Sequence, residues 1–288
     1  MPCALCGARG LCNSSPMKIA VVAPSCRLKP EAAAAVQEIV ARRGDCDVVV
    51  HSQCFLSDGH FAGSDAERLS ALREVMADPS VDAVWFARGG YGSNRIAEAA
   101  VADLPESARG KTYLGYSDAG FLLAAFHRAG LKVAHGPMPQ DVLREGGASA
   151  IARALDWLVR RDPAALEPGL VAGRRAMAFN LRVLTHLLGT SIEPDFAGAE
   201  LLIEDIAEYD YSVDRMMFHL VGSASVRQCA GLRRGRFSDI PDNDPPFGRG
   251  PQSIVEEWCA RAGIAFLGTA DIGHDAANRV VPFSLNMD

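Results

Sequence analysis

The chain of 288 residues lacks any apolar run approaching the ~18 residues that a membrane-spanning helix requires. Charge, Gly or Pro breaks each hydrophobic stretch within about ten residues, so a soluble protein with no membrane contact is expected. An excess of positive charge is also missing. With 29 Lys+Arg against 35 Asp+Glu the formal charge is −6, which excludes a broad basic surface for nucleic acid or anionic lipid. Nor is there a disulfide framework. Of eight cysteines, Cys3, Cys6 and Cys12 crowd the first sixteen residues, and Cys26, Cys46, Cys54, Cys229 and Cys259 are scattered. Cys3-x-x-Cys6 is followed nearby only by Cys12, too few ligands for a structural zinc site, so no metal is expected. The first sixteen residues have no apolar middle of a secretory signal, and Met17 directly precedes the strand-like run Lys18–Ala23. These features predict a disordered leader over 1–16, a functional start at Met17 and a reducing, cytoplasmic location.

What is present is ordinary globular material: 49% apolar and 22% charged residues, enough for a sizeable core, with a length that favours two domains. Strand-like runs alternate with amphipathic segments through the first half, the pattern of a parallel α/β architecture. Strands are expected at Lys18–Ala23, Asp47–His51, Ala83–Ala87, Thr112–Gly115 and Lys132–His135. Helices are expected from Pro30 to Arg43 before Gly44, from the capping box Ser64-Asp-Ala-Glu67 to Ala77, and from about Ala119 to Ala129. A domain of residues 17–145 is followed by a crossover at 146–175 that holds a helix near Ala150–Arg161 and then aperiodic Pro-, Gly- and Arg-containing sequence. A second domain over 176–288 is predicted to contain helices at Asn180–Leu188, Val213–Val221 and Pro251–Ala262, with strands at Leu201–Glu204, Cys229–Arg236 and Ala265–Leu267.

In a parallel sheet, the residues just beyond the strand C-termini face the ligand crevice. Two such turns stand out. In Arg88-Gly-Gly-Tyr-Gly-Ser-Asn94 the glycines permit a backbone that points N–H groups at an anion, although a simple tight turn would use them equally well. It is no dinucleotide fingerprint, because the G-x-G-x-x-G order is missing and the first strand-to-helix turn, Pro24–Lys29, has no glycine. The second turn, Gly115-Tyr-Ser-Asp-Ala-Gly120, raises Ser117 into the crevice at a strand–helix junction with the Asp118 N–H beside it, where either residue could instead serve as a helix cap. The spacing is not the G-x-S-x-G of α/β-hydrolases. A serine nucleophile needs a base. His135 and His274, both beside glycine at strand-end turns, are the two candidates, and Glu204 and Asp205 at a strand end are the candidate orienting acids.

Six segments together resemble the LD-carboxypeptidases, the muramoyltetrapeptide carboxypeptidase family of serine peptidases. They are Arg88–Arg95, Gly115–Asp118, His135-Gly-Pro-Met138, Leu184–Thr190, Ile203-Glu-Asp205 with Tyr211–Met216, and Ile272-Gly-His274, and they run in the family's order. The resemblance implies a Rossmann-like N-terminal domain with a parallel sheet, a smaller C-terminal α/β domain, and a homodimer. It also implies a triad of Ser117 as nucleophile, Glu204 as acid and His274 as base, with an oxyanion hole from the N–H groups of Gly90 and Asp118. No cofactor or metal is called for. The implied substrate is a murein tetrapeptide that loses its terminal D-alanine, and Arg88 and Arg95, flanking the glycine turn, are the expected clamp for its carboxylate. A related hydrolase of the microcin-immunity type, cutting amide bonds of peptidyl-nucleotide antibiotics, would keep the triad and change the pocket. A non-enzymatic anion-binding module would use only the glycine turn. Two departures stand out: Ala178-Phe-Asn180 replaces the family's Gly-Gly-Asn, and the chain stops fourteen residues after His274. The second places the dimer contact or pocket wall in doubt more than the triad.

Overall fold

A computed structural model describes residues 16–284; the expected leader and its Cys-x-x-Cys lie outside this range except for Pro16. Five strands run parallel in the first sheet: β1 (Met17–Val22), β2 (Cys46–Val50), β3 (Ala83–Phe86), β4 (Thr112–Gly115) and β5 (Lys132–His135). Their spatial order is β5-β4-β3-β1-β2. The chain therefore reverses its winding between β1 and β3, and in doubly wound sheets the ligand crevice opens at such a switch point, beyond the strand C-termini. Every residue of β3 and β4 is buried, as expected of central strands covered on both faces.

The helices follow from local chemistry. Pro30 opens α1 (Pro30–Arg43), and Gly44, at φ 68°, closes it in the left-handed conformation that glycine adopts without penalty. Ser64 and Glu67 cap each other's backbone at the start of α2 (Asp65–Ala77), as the sequence spacing requires. Then follow α3 (Asn94–Ala102), α4 (Gly120–Arg128) and α5 (Gly147–Arg160).

The second half builds a wholly parallel sheet in the order β6-β7-β8-β9 from β6 (Ala176–Asn180), β7 (Glu200–Ile206), β8 (Gly231–Ser238) and β9 (Phe266–Thr269). Its helices are α6 (Leu181–Leu187), α7 (Asp210–Gly222) and α8 (Pro251–Ala262). Three elements differ from the sequence expectation. Strand β6 was not foreseen, because Ala-Met-Ala-Phe-Asn is a short apolar run with no alternation and both faces are buried. Helix α3 lay hidden behind the glycine turn. The two-residue strand β10 (Val281–Pro282) pairs antiparallel with β5, so the end of the described chain joins the first sheet.

One apolar core runs through both halves, with Phe86, Tyr113 and Phe126 from the first packing continuously into Phe179, Leu201 and Met217 of the second. Helix α4 sits at the junction. A Cβ at Gly120 would come within 3.0 Å of Val183 and 3.3 Å of Phe179, so the absence of a side chain lets α4 approach β6 and α6 closely. Fully burying each large apolar side chain contributes about 1.5–3 kcal/mol, and this shared core sets the two sheets at a defined distance.

A buried ion pair ties the crossover to the second sheet. Glu167 accepts two hydrogen bonds from Arg233, at 2.6 and 2.8 Å, and also takes the N–H groups of Gly169 and Asp271. Removing one partner of such a pair leaves the other charge in a medium that solvates it poorly. Glu167→Ala is expected to lower unfolding stability by about 3–5 kcal/mol in urea titrations, and Glu167→Met combined with Arg233→Leu to recover most of that loss. Equal loss in the single and double variants would refute this account.

Candidate active site

Strand β4 ends at Gly115, where a Cβ would lie 2.7 Å from the ring of Phe86, so glycine is needed for the close approach. Tyr116 is fully extended (φ −156°, ψ −168°), and Ser117 then turns sharply to φ 58° before the single turn Ser117–Ala119 leads into α4. A non-glycine residue in this left-handed region costs about 1–3 kcal/mol and is held there only by its surroundings. The result lifts the Ser117 hydroxyl out of the sheet edge.

An imidazole arrives from the other sheet. His274 lies in the loop after β9, and its Nε2 stands 3.0 Å from Ser117 Oγ while its Nδ1 stands 2.5 Å from Glu204 Oε2. A carboxylate only accepts, so Nδ1 carries the proton and the neutral ring presents a bare Nε2 to the hydroxyl. Glu204 is fully buried near the end of β7, and His274 is 8% exposed. The register between β7 and β8 slips beside Glu204, between the pairs Ile203–Arg234 and Asp205–Phe237. Gly235 occupies the irregular stretch of β8, where a Cβ would stand 2.9 Å from that of Glu204, so the bulge and the missing side chain together make room for the acid.

The loop bearing His274 is pinned from several sides. Arg144 donates to the His274 carbonyl and to Asp141, Gly273 N–H donates to Asn278 Oδ1 at 3.2 Å, and Arg236 pairs with Asp271 and Asp275. The alternative base, His135, is buried and donates from Nε2 to the same Asn278 oxygen at 3.1 Å. Burial pushes its pKa down to about 4. The ring of Tyr116 packs against both imidazoles, at centroid distances of 5.5 Å to His135 and 4.9 Å to His274. Of the two histidines, the structure brings His274 to the serine.

Ser117 opens into a cleft of about 670 Å³ that Gly90, Asp118, Asn180, Arg182 and Asp205 also line. The glycine turn passes close over the hydroxyl: a Cβ on Gly89 would sit 2.9 Å from Ser117 Oγ and 3.6 Å from the Asp118 nitrogen. Gly90, at φ 108°, has no room for a side chain, since a Cβ would be 2.3 Å from Cys26 Sγ. Asp205 is not an orienting acid for the base. It takes hydrogen bonds from Asn180 Nδ2 at 2.7 Å, Ile206 N at 2.8 Å and Arg182 N at 3.1 Å, and so fastens the junction of β6 and α6, where Ala178-Phe-Asn180 replaces Gly-Gly-Asn at the strand end. Burial, with the neighbouring Glu204 charge, pushes Asp205 up to about 7.

Arg88 and Arg95 correct the sequence expectation. Neither lines the cleft: Arg88 reaches the carbonyl of Arg27 at 3.4 Å, and Arg95 is exposed and paired with Asp65 at 2.7 Å. Flanking a glycine turn in sequence leaves open which way a long side chain points, and Asp65 on α2 draws Arg95 outward. The guanidinium in the cleft is Arg182, held by Glu208. Nothing in the Asn180–Leu188 pattern marked it apart from an ordinary exposed helical arginine. Among the described residues, no group of three His, Cys, Asp or Glu side chains is gathered as for a metal ion, and no helix is long and apolar enough to cross a membrane.

The fold and site define an α/β protein of two parallel-dominated sheets, with a serine–histidine–glutamate relay assembled across their junction. Two family models match it, the LD-carboxypeptidase N-terminal domain over residues 19–136 and the LD-carboxypeptidase C-terminal domain over residues 175–288. The chain belongs to the LD-carboxypeptidase family and is an enzyme of the carboxypeptidase class. It is 32% identical to a probable murein peptide carboxypeptidase of Bacillus subtilis, over 78% of this chain and 73% of that protein. A murein tetrapeptide carboxypeptidase of Pseudomonas aeruginosa is 28% identical over 78% of this chain and 77% of its own. The crystal structure of muramoyltetrapeptide carboxypeptidase from Oxalobacter formigenes superimposes with a TM-score of 0.79 at 25% identity, covering 92% of this chain and 93% of that one. The microcin C7 self-immunity protein MccF shares the fold, at a TM-score of 0.76 and 18% identity over 94% of this chain and 92% of its own.

The acid limb of reactivity follows from the relay. Burial lowers the His274 pKa, but the adjacent Glu204 carboxylate stabilises the imidazolium through its charge and hydrogen bond and brings the net shift upward from 6.5. With His274 as the proposed base, the ring accepts the serine proton only when neutral, and reactivity is expected to be lost as pH falls through a value above 6.5. The rate of Ser117 labelling by a fluorophosphonate, measured against pH in an Asp205→Asn background, is expected to show that inflection. Glu204→Gln should move it downward; an inflection unmoved by that change would refute the assignment of the limb to His274.

Proposed function

We propose that the protein is a serine carboxypeptidase that hydrolyses the L,D-peptide bond to the terminal D-alanine of murein tetrapeptides. The observation that carries this reading is the unbroken relay from Ser117 Oγ through His274 to Glu204, open to a peptide-sized cleft. The names of the Bacillus and Pseudomonas relatives support the substrate class. The free thiols of Cys26, Cys46, Cys54, Cys229 and Cys259 accord with action in a reducing cytoplasm.

In this mechanism the Ser117 oxygen attacks the carbonyl carbon as His274 Nε2 takes its proton, and the negative charge formed on the carbonyl oxygen is received by the N–H groups of Gly90 and Asp118. Glu204 stabilises the imidazolium. The proton passes from Nε2 to the leaving amine, D-alanine departs, and the acyl group stays on Ser117. Water then attacks the ester, His274 takes its proton, and the serine is regenerated. Each oxyanion donor contributes about 2.7–4 kcal/mol to the transition state. The free carboxylate of the substrate calls for a cation within the cleft, and Arg182 is the Arg or Lys side chain available there among the described residues.

Ser117→Ala is expected to lower D-alanine release from a murein tetrapeptide by at least about 10⁴-fold while leaving the unfolding midpoint unchanged. Retained turnover would sink the nucleophile assignment. Arg182→Met is expected to raise KM for the free-acid tetrapeptide about 10- to 100-fold, and to leave KM for the C-terminal amide unaltered, since a charge-assisted contact contributes about 1.5–3 kcal/mol. Equal effects on acid and amide would remove Arg182 from carboxylate recognition. A peptidyl-nucleotide amide offered in parallel separates the immunity-type hydrolase, which would cleave it in preference to the tetrapeptide.

A further inference from the structure

We propose that the side chain of Asp118, together with Arg68, is a positioning device for the reaction: it clamps the loop after β1 and the glycine turn after β3 onto the Ser117 elbow. This rests on the serine-hydrolase reading and gives the side chain of Asp118 a role beside that of its backbone N–H.

The carboxylate of Asp118 is 3% exposed although it borders the cleft, and two donors converge on its Oδ2: the Ser25 hydroxyl at 2.5 Å and the Ser93 N–H at 2.9 Å. Its backbone carbonyl accepts from the Ser93 hydroxyl at 2.5 Å. One residue thus holds both loops. Arg68, 1% exposed on α2, holds the same two loops one residue earlier in each, donating to the carbonyl of Pro24 and to that of Gly92 at 2.8 Å. Its guanidinium is fixed in turn by Asp65 and by the ring of Phe61, whose centroid is 4.8 Å away. A buried anion collects N–H and O–H donors while a buried cation collects carbonyls, so the polar groups of the two loops find partners of the right sign.

Between these fixed points lies Gly90. Arg88–Ser93 contains three glycines, and glycine backbone has the widest conformational choice, so the turn does not hold its own shape. Pinning Gly92 and Ser93 at one end, and seating Gly90 against Cys26 of the pinned β1 loop, leaves the turn little freedom above Ser117. Donors to a developing oxyanion act only when placed in advance, and a displacement of about 1 Å costs about 10²-fold in rate. The proposal gives Asp118 a positioning role through Oδ2, which Ser25 and Ser93 occupy, while His274 serves the Ser117 hydroxyl.

The test is the second-order rate of Ser117 labelling by a fluorophosphonate, which needs the elbow, the base and the oxyanion site but no particular peptide. Asp118→Ala is expected to label about 10²-fold more slowly. Asp118→Asn can place its carbonyl oxygen where Oδ2 stands, keeping both contacts, and is expected to label within about threefold of the wild type with the acid limb unmoved. An asparagine variant as slow as the alanine variant would assign the effect to charge or proton transfer and overturn the proposal. So would an alanine variant at the wild-type rate. Should Asp118→Ala fail to fold, Ser25→Ala removes one of the two donors and is expected to label about tenfold more slowly; the wild-type rate there is equally fatal. A wild-type enzyme that labels but leaves murein tetrapeptide intact would count against the substrate reading and leave this comparison standing.

Discussion

A fully buried carboxylate facing one imidazole is the constraint on which the rest of the structure depends. Among the described residues, Glu204 Oε1 has no protein donor, so the Nδ1–H of His274 is the group that answers the charge. In a dry setting that single hydrogen bond orients the ring, fixes its tautomer and raises its affinity for a proton. The features around the pair bring a hydroxyl to the opposite edge of that ring, at Nε2. The bulge in β8, the gap at Gly235 and the braces on the 271–278 loop all act within a few residues of the pair.

The two halves contribute different kinds of precision. The first sheet supplies a strained serine at the end of β4 and a glycine turn at the end of β3, next to the switch point where a parallel sheet opens its crevice. The second supplies the buried carboxylate and the imidazole. Because neither half holds the whole relay, its geometry depends on how the sheets pack, and the continuous core around α4, β6 and α6 transmits that packing to a 3.0 Å contact. Rigidity at the junction is thus a requirement of the chemistry as well as a source of stability.

Charge in the cleft obeys the same logic of partners. Of the two arginines that flank the glycine turn in sequence, Arg95 is drawn away by Asp65 on α2 and Arg88 reaches the backbone carbonyl of Arg27. Arg182 remains in the cleft because Glu208 holds it there, and Asp205, bound by three donors, keeps the turn below it in place. A long flexible side chain goes where its counterion sits, and the counterion's position is a property of the packed protein.

Read by itself, the sequence determined the alternating α/β order, the caps at Ser64 and Gly44, and the residues standing at strand ends, because each depends on interactions within a few residues or on a two- or 3.6-residue period. Ser117, Glu204 and His274 were among its candidates for that reason, yet the residues alone left His135 and Asp205 equally placed. Tertiary structure decided between them: His135 is committed to Asn278 and Asp205 to the Asn180 turn, through contacts 143 and 25 residues apart in the chain. It also decided that Ala176–Asn180 is a strand, that Val281–Pro282 closes the first sheet, and that Asp118 and Arg68 grip the same two loops. Such contacts join segments remote in the chain, where no local periodicity records them.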